Sequence, residues 1–351
     1  MKIGIITFHW GTNHGAVLQS YASMKYLQKN FPASSVEIID YYPSSYEKTL
    51  LSAMKPGRPR VMLSRFMEYK KEKRIAPFRR KLILTKRYKE NVELIDGGAD
   101  DFDVLLCGSD QVWNPNFLMA GEGKITPTYF LNFGREDCKR IALSVSFGVA
   151  EYPANGLDII KPLVERFTAI SVREKSGLSI LKQIGINDVY LTSDPTALLP
   201  GDEYKDLLSS VKCPNNYIGK CILRKQSAEN AEIIKRIEET YNGKRIINIR
   251  DFSIENWLAY ICNADCVITN SFHCVMFCLK FHTPFWVIYE DGKRAGMNDR
   301  LDTLLKTFNL KNRIVSNTTI EANNIDWEAV DKCMDEYSYS LRQFLDQYIA
   351  E

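Results

Sequence analysis

The stretch Asp265-Cys-Val-Ile-Thr-Asn-Ser-Phe-His-Cys-Val-Met-Phe-Cys-Leu-Lys280 decides the fold. Its opening run, Asp265 to Thr269, is apolar and β-branched and reads as a buried strand. A polar corner follows at Asn270-Ser271, and from Ser271 to Lys280 the pattern is helical. Ser271 is a good helix N-cap, because its hydroxyl can take up one of the free amides of the first turn. Strand, polar corner and helix in direct succession make the unit from which parallel α/β sheets are built.

The same unit recurs on both sides. Downstream come a strand at Phe285 to Tyr289, a helix around Arg300 to Phe308 and a strand near Arg313 to Val315, then one or two helices over Asp326 to Ile349. Upstream lie a strand at Tyr217 to Leu223, a helix at Ala228 to Tyr241, a strand at Arg245 to Ile249 and a helix at Ile254 to Cys262. The first half alternates likewise, with strands at Lys2 to Phe8, Val36 to Asp40, Asp103 to Cys107, Ile141 to Ser146, Phe167 to Ser171 and Val189 to Leu191. Helices are expected at Gly15 to Lys29 and Ser176 to Ile184, the second with Ser176 as N-cap. The turn-rich Ser193-Asp-Pro-Thr-Ala-Leu-Leu-Pro-Gly201 is the best candidate linker. The expected fold class is therefore α/β: two doubly wound, Rossmann-like domains facing a cleft. The first spans 1–198, with a basic insertion at 55–90, and the second spans 199–324. The C-terminal helices, 325–351, are expected to pack back on the first.

Length and composition agree. The 351 residues are 45% hydrophobic, 25% charged and 11% aromatic, which excludes a disordered, collagenous or coiled-coil chain. Met1-Lys2 and the apolar run Ile3 to Phe8 meet His9 too soon for a signal peptide, and no stretch reaches the roughly 20 apolar residues of a membrane span. A soluble, cytoplasmic protein is expected. The 46 Lys and Arg against 43 Asp and Glu give a net charge of +3, but the charge is unevenly spread. Residues 55–90 carry 14 Lys/Arg and 3 Glu, with apolar anchors at Val61-Met62-Leu63, Phe66-Met67 and Leu82-Ile83-Leu84. Arg79, Arg80 and Lys81 directly precede the last of these, a pairing that suits a surface-lying helix. Two readings stay open: a solvated helix face, or attraction to anionic lipid or a pyrophosphate, with peripheral association at the inner face of the membrane. Nucleic acid is not expected, because no aromatic-interleaved basic module or zinc finger accompanies the charge.

The nine cysteines, odd in number and without a Cys-x-x-Cys pair, fit a reducing compartment. Cys274, Cys278 and His282 would form a ladder on one helix, but that helix is apolar all round and no fourth ligand is evident. Core packing is the stronger reading and no metal is expected.

Ligands of open α/β sheets bind beyond the carboxyl ends of the strands. Those positions here are His9-Trp-Gly-Thr-Asn-His-Gly15, Gly108-Ser-Asp-Gln-Val-Trp-Asn114, Val172-Arg173-Glu174, Ser193-Asp194-Pro195 and Asn270-Ser271-Phe272-His273. His273 falls in the first helical turn, where free amides and the dipole favour anions and an imidazole is placed to accept a proton. A packed His beside a capping Ser is the alternative. Arg173 stands where its planar fork could grip a carboxylate or phosphate, or pair with Glu174 or another carboxylate. Asn13, His14, Gly15, Ser109, Asp110, Gln111 and Asp194 are the other candidates to line the site. No Walker, Gly-x-Gly-x-x-Gly, Gly-x-Ser-x-Gly or His-Glu-x-x-His pattern is present.

Several of these segments, taken in order, resemble the polysaccharide pyruvyl transferase family. They are Asn13-His-Gly-Ala-Val-Leu-Gln19 after the first strand, Gly108-Ser-Asp-Gln-Val-Trp-Asn-Pro115, Ser144-Val-Ser-Phe-Gly148, Ile170-Ser-Val-Arg-Glu-Lys-Ser176, Ser193-Asp-Pro-Thr196, and Ser271-Phe-His-Cys274 with Pro284-Phe285. The resemblance runs from residue 2 to about 310 and implies a fold similar to GT-B glycosyltransferases, with the active site between the domains. It implies transfer of the carboxyvinyl unit of phosphoenolpyruvate, a co-substrate rather than a cofactor, onto a sugar. The product is usually a 4,6-ketal on a hexose such as galactose, in bacterial capsule or exopolysaccharide assembly. The acceptor is a sugar or a lipid-diphosphate-linked oligosaccharide. By this resemblance His273 is the catalytic acid/base and Arg173 a donor-binding residue. Asn270 and Ser271 are expected to bind the donor with Arg173, and the chemistry of the reaction gives Asp110 a catalytic place, orienting an acceptor hydroxyl or relaying a proton. Characterised relatives often carry Arg two positions before the His, where this chain has Ser271. Two other classes share these features: a GT-B-type sugar-nucleotide glycosyltransferase and a non-catalytic polysaccharide-locus binding protein.

Overall fold

The computed structural model of the chain describes residues 1–46, 49–55, 57–118, 125–208, 210–290, 298–315 and 324–350. It divides into two compact units, Met1–Leu198 with Ser338–Glu351, and Leu199–Tyr337. Each is built on a parallel sheet, so the doubly wound α/β class read from the sequence is the class observed.

In the first unit the strands are β1 (Lys2–Ile6), β2 (Ser35–Tyr41), β3 (Leu84–Tyr88), β4 (Val104–Cys107), β5 (Lys139–Val145), β6 (Ala169–Val172) and β7 (Tyr190–Leu191). They form a seven-stranded sheet in the order β3-β2-β1-β4-β5-β6-β7. The chain winds outward from β1 to β3, returns beside β1 as β4, and winds the other way. Right-handed crossovers then put helices on both faces and leave the switch point between β1 and β4. Helix α1 (His14–Asn30) starts where Asn13 accepts the Gly15 amide at 3.0 Å. Under the sheet, Trp113 stacks on Phe130 at 5.0 Å and meets Phe147 and Phe167 edge-on, all of it among fully or largely buried side chains.

Two expectations change here. The basic insertion is helical only in part: α2 (Pro59–Ile75) is followed by a 3-10 turn (Ala76–Lys81) and then by β3, the edge strand. Leu82 to Leu84 therefore lead into the sheet and do not lie on a surface helix. Lys86 and Arg87 disguise the strand, and such charges are what protect an exposed edge from pairing with other chains. Helix α3 (Ala154–Val164) behaves as an ordinary amphipathic crossover, but α4 (Lys175–Gln183) begins one turn-position earlier than expected. Its N-cap is Glu174, and Ser176 lies inside the first turn. The Ser193–Gly201 stretch contains the division between the units, at Leu198 and Leu199, and it is ordered there: Ser193 to Leu199 are all buried and Pro195–Ala197 form a 3-10 turn.

In the second unit β8 (Tyr217–Cys221), β9 (Arg245–Asn248), β10 (Cys266–Thr269) and β11 (Phe285–Val287) form a sheet in the order β11-β10-β8-β9. Its switch point lies between β8 and β10. The helices are α5 (Ala228–Thr240), α6 (Ile254–Cys262), α7 (Phe272–Phe281) and α8 (Asp299–Thr307). The strand expected near Arg313 is a 3-10 turn (Lys311–Arg313) followed by a single bridge of Ile314 to Val287. Arg313 is drawn inward instead, its guanidinium 5.3 Å above the Trp286 ring. Helix α9 (Trp327–Ala350) is one continuous helix shared between the units by the division at Tyr337 and Ser338. No helix among the described residues is long and apolar enough to cross a membrane.

Candidate functional site

Each unit gathers polar side chains at the carboxyl ends of its strands. In the first unit the loops after β1 and β4 flank the switch point. Thr7 joins them: its hydroxyl donates to the Ser109 carbonyl at 2.7 Å and accepts from Gln19 of α1 at 2.8 Å. His9 is 1% exposed, with Nδ1 at 3.1 Å from the Thr7 carbonyl and Nε2 at 3.0 Å from Asp40 Oδ1. Each ring nitrogen thus faces an oxygen, one of the main chain and one of a carboxylate. Arg87 Nε donates to the other Asp40 oxygen at 2.9 Å. Burial works to raise the Asp40 pKa, but His9 and then Arg87 outweigh it and hold the carboxyl below its ordinary value.

The loop's main chain is held from the insertion. Arg79 donates to the carbonyls of His9 (3.0 Å), Trp10 (2.7 Å) and Gly11 (3.0 Å), and also to both oxygens of Glu72 (2.6 and 2.9 Å). Thr12 donates to Glu68 at 2.8 Å. Trp10 stacks on Tyr42 at 5.4 Å, with Tyr46 and Phe8 beside it.

After β4, Ser109 is fully buried and Asp110 has a φ of +84°, a conformation L residues rarely hold. The backbone there is fixed by a parallel bridge to Val145, the Ser146 amide donating to the Asp110 carbonyl at 3.0 Å. Gln111 lies so close to Gly148 that a Cβ there would come within 2.5 Å of its side chain, which is why the Ser144–Gly148 segment ends in glycine.

Arg173 and Asp194, read separately as donor- and substrate-binding residues, form one buried ion pair, their side chains 1% and 0% exposed. Asp194 also accepts from the Thr196 amide and hydroxyl, at 2.9 and 2.6 Å. Burial works against the guanidinium charge, yet Asp194, Glu174 and Asp110 together raise its pKa above the ordinary value. Glu174, expected only as a possible ion-pair partner of Arg173 and not as a site residue, is the functional-looking group the sequence leaves out. Its Oε1 accepts from Ser146 Oγ (2.9 Å) and from the amides of Phe147 (2.7 Å) and Gly148 (3.2 Å). Its place immediately after Arg173 at a strand end was the available signal.

In the second unit the corner after β10 is tied down. Asn270 accepts the Leu223 amide at 2.9 Å and donates to Glu290 at 2.8 Å, which knits together the ends of β8, β10 and β11. Ser271 caps α7 by accepting the Cys274 amide at 3.4 Å. His273 sits in the first turn, 7% exposed, edge-on to Phe272 at 5.2 Å. Arg224, past the end of β8, has a 41% exposed side chain 4.0 Å from Glu290, and Arg300 lies 6.0 Å above the Phe272 ring. His282 leaves the helix that carries Cys274 and Cys278: it takes a φ of +56°, pairs with Asp331 at 2.8 Å and stacks on Trp327. Both cysteines are fully buried, and among the described residues no three His, Cys, Asp or Glu are grouped to hold a metal ion.

Asn13, His14 and Gly15 open α1 beside the first switch point, while Asn270, Ser271 and His273 open α7 beside the second. Asp194 pairs with Arg173 while the charges of Glu174 and Asp110 act on the same guanidinium, and Gln111 lies against Gly148, whose amide donates to Glu174. Ser109 directly precedes Asp110 and bonds Thr7.

A family model described as polysaccharide pyruvyl transferase matches residues 13–292. No curated protein matches the chain. Among solved structures, a protein of uncharacterised function from Klebsiella pneumoniae is 11% identical with a TM-score of 0.49, covering 90% of this chain and 93% of that one. A putative UDP-N-acetylglucosamine 2-epimerase from Listeria monocytogenes is 11% identical with a TM-score of 0.44, over 98% and 94% of the two chains. The E. coli ADP-heptose lipopolysaccharide heptosyltransferase II is also 11% identical, with a TM-score of 0.36 over 98% and 99%.

Proposed function

The chain belongs to the polysaccharide pyruvyl transferase family and is a transferase, and from that premise we propose that it moves the carboxyvinyl unit of phosphoenolpyruvate onto a sugar. The sugar would be a hexose such as galactose, closed as a 4,6-ketal in a capsule or exopolysaccharide repeat. Protonating the enol methylene turns it into a methyl group and makes C2 electrophilic. One sugar hydroxyl adds to C2 and its proton leaves with the departing phosphate, and the second hydroxyl closes the ketal as its own proton is lost. The reaction needs a group that gives and takes protons beside a field that favours anions. The observation that carries this reading is His273 in the first turn of α7, directly behind the Ser271 cap.

Donor charge needs a cation. Arg173 is enclosed with Asp194, and Ser271 is engaged in capping. We assign the anion contact instead to Arg224, half-exposed at the end of β8 and tied to the His273 corner through Leu223 and Asn270. The test is phosphate release from phosphoenolpyruvate with a panel of nitrophenyl and lipid-linked sugars, with UDP-sugars as the competing donor. His273→Ala should lose about 10²–10⁴ in kcat with its melting temperature unchanged. Arg224→Gln should raise the donor KM and leave the acceptor KM alone. Turnover with UDP-sugars and none with phosphoenolpyruvate would make the protein a glycosyltransferase.

The acceptor we favour is a lipid-diphosphate-linked oligosaccharide, reached at the inner face of the membrane. Helix α2 supports this. Its two acidic residues, Glu68 and Glu72, are engaged with Thr12 and Arg79, while Met62, Leu63, Phe66 and Met67 are exposed beside Lys70, Lys73 and Arg74. Leu50, Leu51 and Met54 extend the exposed apolar surface. Apolar side chains rimmed by cations suit an anionic lipid surface. Sedimentation with phosphatidylglycerol-containing vesicles at low salt should carry the protein down, and Phe66→Ser with Lys70→Glu and Lys73→Glu should leave it in the supernatant. A dimer in solution that the same changes dissociate would assign the face to self-association.

A further inference from the structure

The basic insertion does a second thing that its composition conceals. Two of its side chains, Arg79 and Glu68, bond the loop after β1 directly, and two more, Glu72 and Arg87, act on it through Arg79 and Asp40. Arg79 takes three consecutive carbonyls, those of His9, Trp10 and Gly11. Glu72 orients Arg79 through both of its oxygens, and Glu68 holds Thr12. Arg87 steadies Asp40, which in turn holds the His9 ring. The Arg79 and Glu72 side chains are only 11% and 14% exposed, so this pair is set into the protein. Successive carbonyls of a loop diverge unless something gathers them. A planar guanidinium with a fork of donors can do that, and a single ammonium cannot.

We propose that Arg79 and Glu72 are positioning residues: the insertion is a clamp that fixes the β1 loop, and with it the start of α1, in the conformation that receives substrate at the first switch point. The loop is short and polar, contains Gly11, and stands where ligands of open α/β sheets bind. Left to itself it would have to be ordered at the moment of binding, and that ordering would be subtracted from affinity. The clamp does this work beforehand. This inference rests on the transferase reading for its kinetic arm only.

Two variants separate the clamp from general effects. Arg79→Lys keeps the charge and loses the fork. Arg80→Ala removes a neighbouring charge from an exposed position in the same turn. Amide hydrogen exchange over residues 9–13 of the full-length protein needs no turnover. It should quicken at least tenfold in Arg79→Lys and in Glu72→Gln, and remain at the wild-type rate in Arg80→Ala. In the transferase assay Arg79→Lys should raise KM for one substrate about tenfold or more, with kcat within about threefold and the melting temperature within a few degrees. If exchange in the loop is unchanged by Arg79→Lys, there is no clamp. If exchange quickens but KM and kcat stay at wild-type values, the pair is a structural brace and the inference is overturned. A wild-type protein inactive with phosphoenolpyruvate would overturn the transferase reading while leaving the exchange result to decide the clamp.

Discussion

Replacing Arg173 alone should be more damaging than replacing it together with its partner. The guanidinium lies among the carboxylates of Asp194, Glu174 and Asp110, whose charges all act on it. Arg173→Met strands that negative charge in a buried place, and breaking a buried pair from one side costs about 3–5 kcal/mol. Arg173→Met with Asp194→Leu should recover much of this loss. Urea unfolding of the single and double variants checks the ordering, and a single variant within about 1 kcal/mol of wild type would be the contrary result. Asp40 gives a pH signature. Its carboxyl lies below the ordinary value when folded, so its stabilising effect is present above the unfolded value of about 3.9 and is lost as pH falls through the lower folded one. Asp40→Asn should therefore destabilise at pH 7 and show a flatter acid limb in thermal melts below about pH 4. Neither network was legible from the sequence. Asp194 lies 21 residues beyond Arg173, and the carbonyls that Arg79 grips lie 68 to 70 residues before it. Spacing rules report neighbours on one helix or strand, whereas Arg173 and Asp194 follow two adjacent parallel strands and Arg79 reaches the β1 loop from the turn before β3.

Elements were far easier to read than partners. The β-branched runs and the Ser271 cap gave β10 and α7 to within a residue, since a strand buried on both faces must be apolar throughout. β3 escaped because Leu84-Thr-Lys-Arg-Tyr88 sits at an edge and buries little beyond Tyr88. The apolar character of α7 and β10 has a chemical consequence. Burial pushes the Cys266 thiol up to about 11 and raises Cys274 and Cys278 as well. A thiolate is the reactive form, so these positions should be inert in the folded protein. Of the nine free cysteines only Cys213, Cys262 and Cys333 are partly exposed. Titration with a disulfide reagent at pH 8 should count no more than three thiols natively and all nine in guanidinium. A native count above three would show that the sheet opens.

At the scale of the whole chain, the first unit is discontinuous. Its sheet edge at β7 is completed by the far half of α9, where Tyr348 shares a 2.8 Å hydrogen bond with Tyr190 and Phe344 packs on the same ring. Leu341, Phe344, Leu345 and Ile349 are all 2% exposed or less. Fully burying each such side chain contributes about 1.5–3 kcal/mol, so a chain cut after Tyr337 should lose the calorimetric transition of the first unit at its wild-type temperature. Retention of that transition would mean the helix is an ornament. The expectation that 325–351 pack back on the first domain comes from the order of the elements and not from the motifs, which lie well upstream of α9, and Ser338–Glu351 are counted with the first unit. The apolar spacing at 341, 344, 345 and 349 marks the buried face but names neither Tyr190 nor β7 as what it meets. The arrangement also sets an order of events on the ribosome. Residues 338–350 emerge only after the 139 residues of Leu199–Tyr337 have been made. At about 5–20 residues per second that is a delay on the order of ten seconds. Throughout it the nascent first unit carries an unfinished, apolar margin beside β7, so its window of exposure to chaperones is set by the translation rate of the other unit.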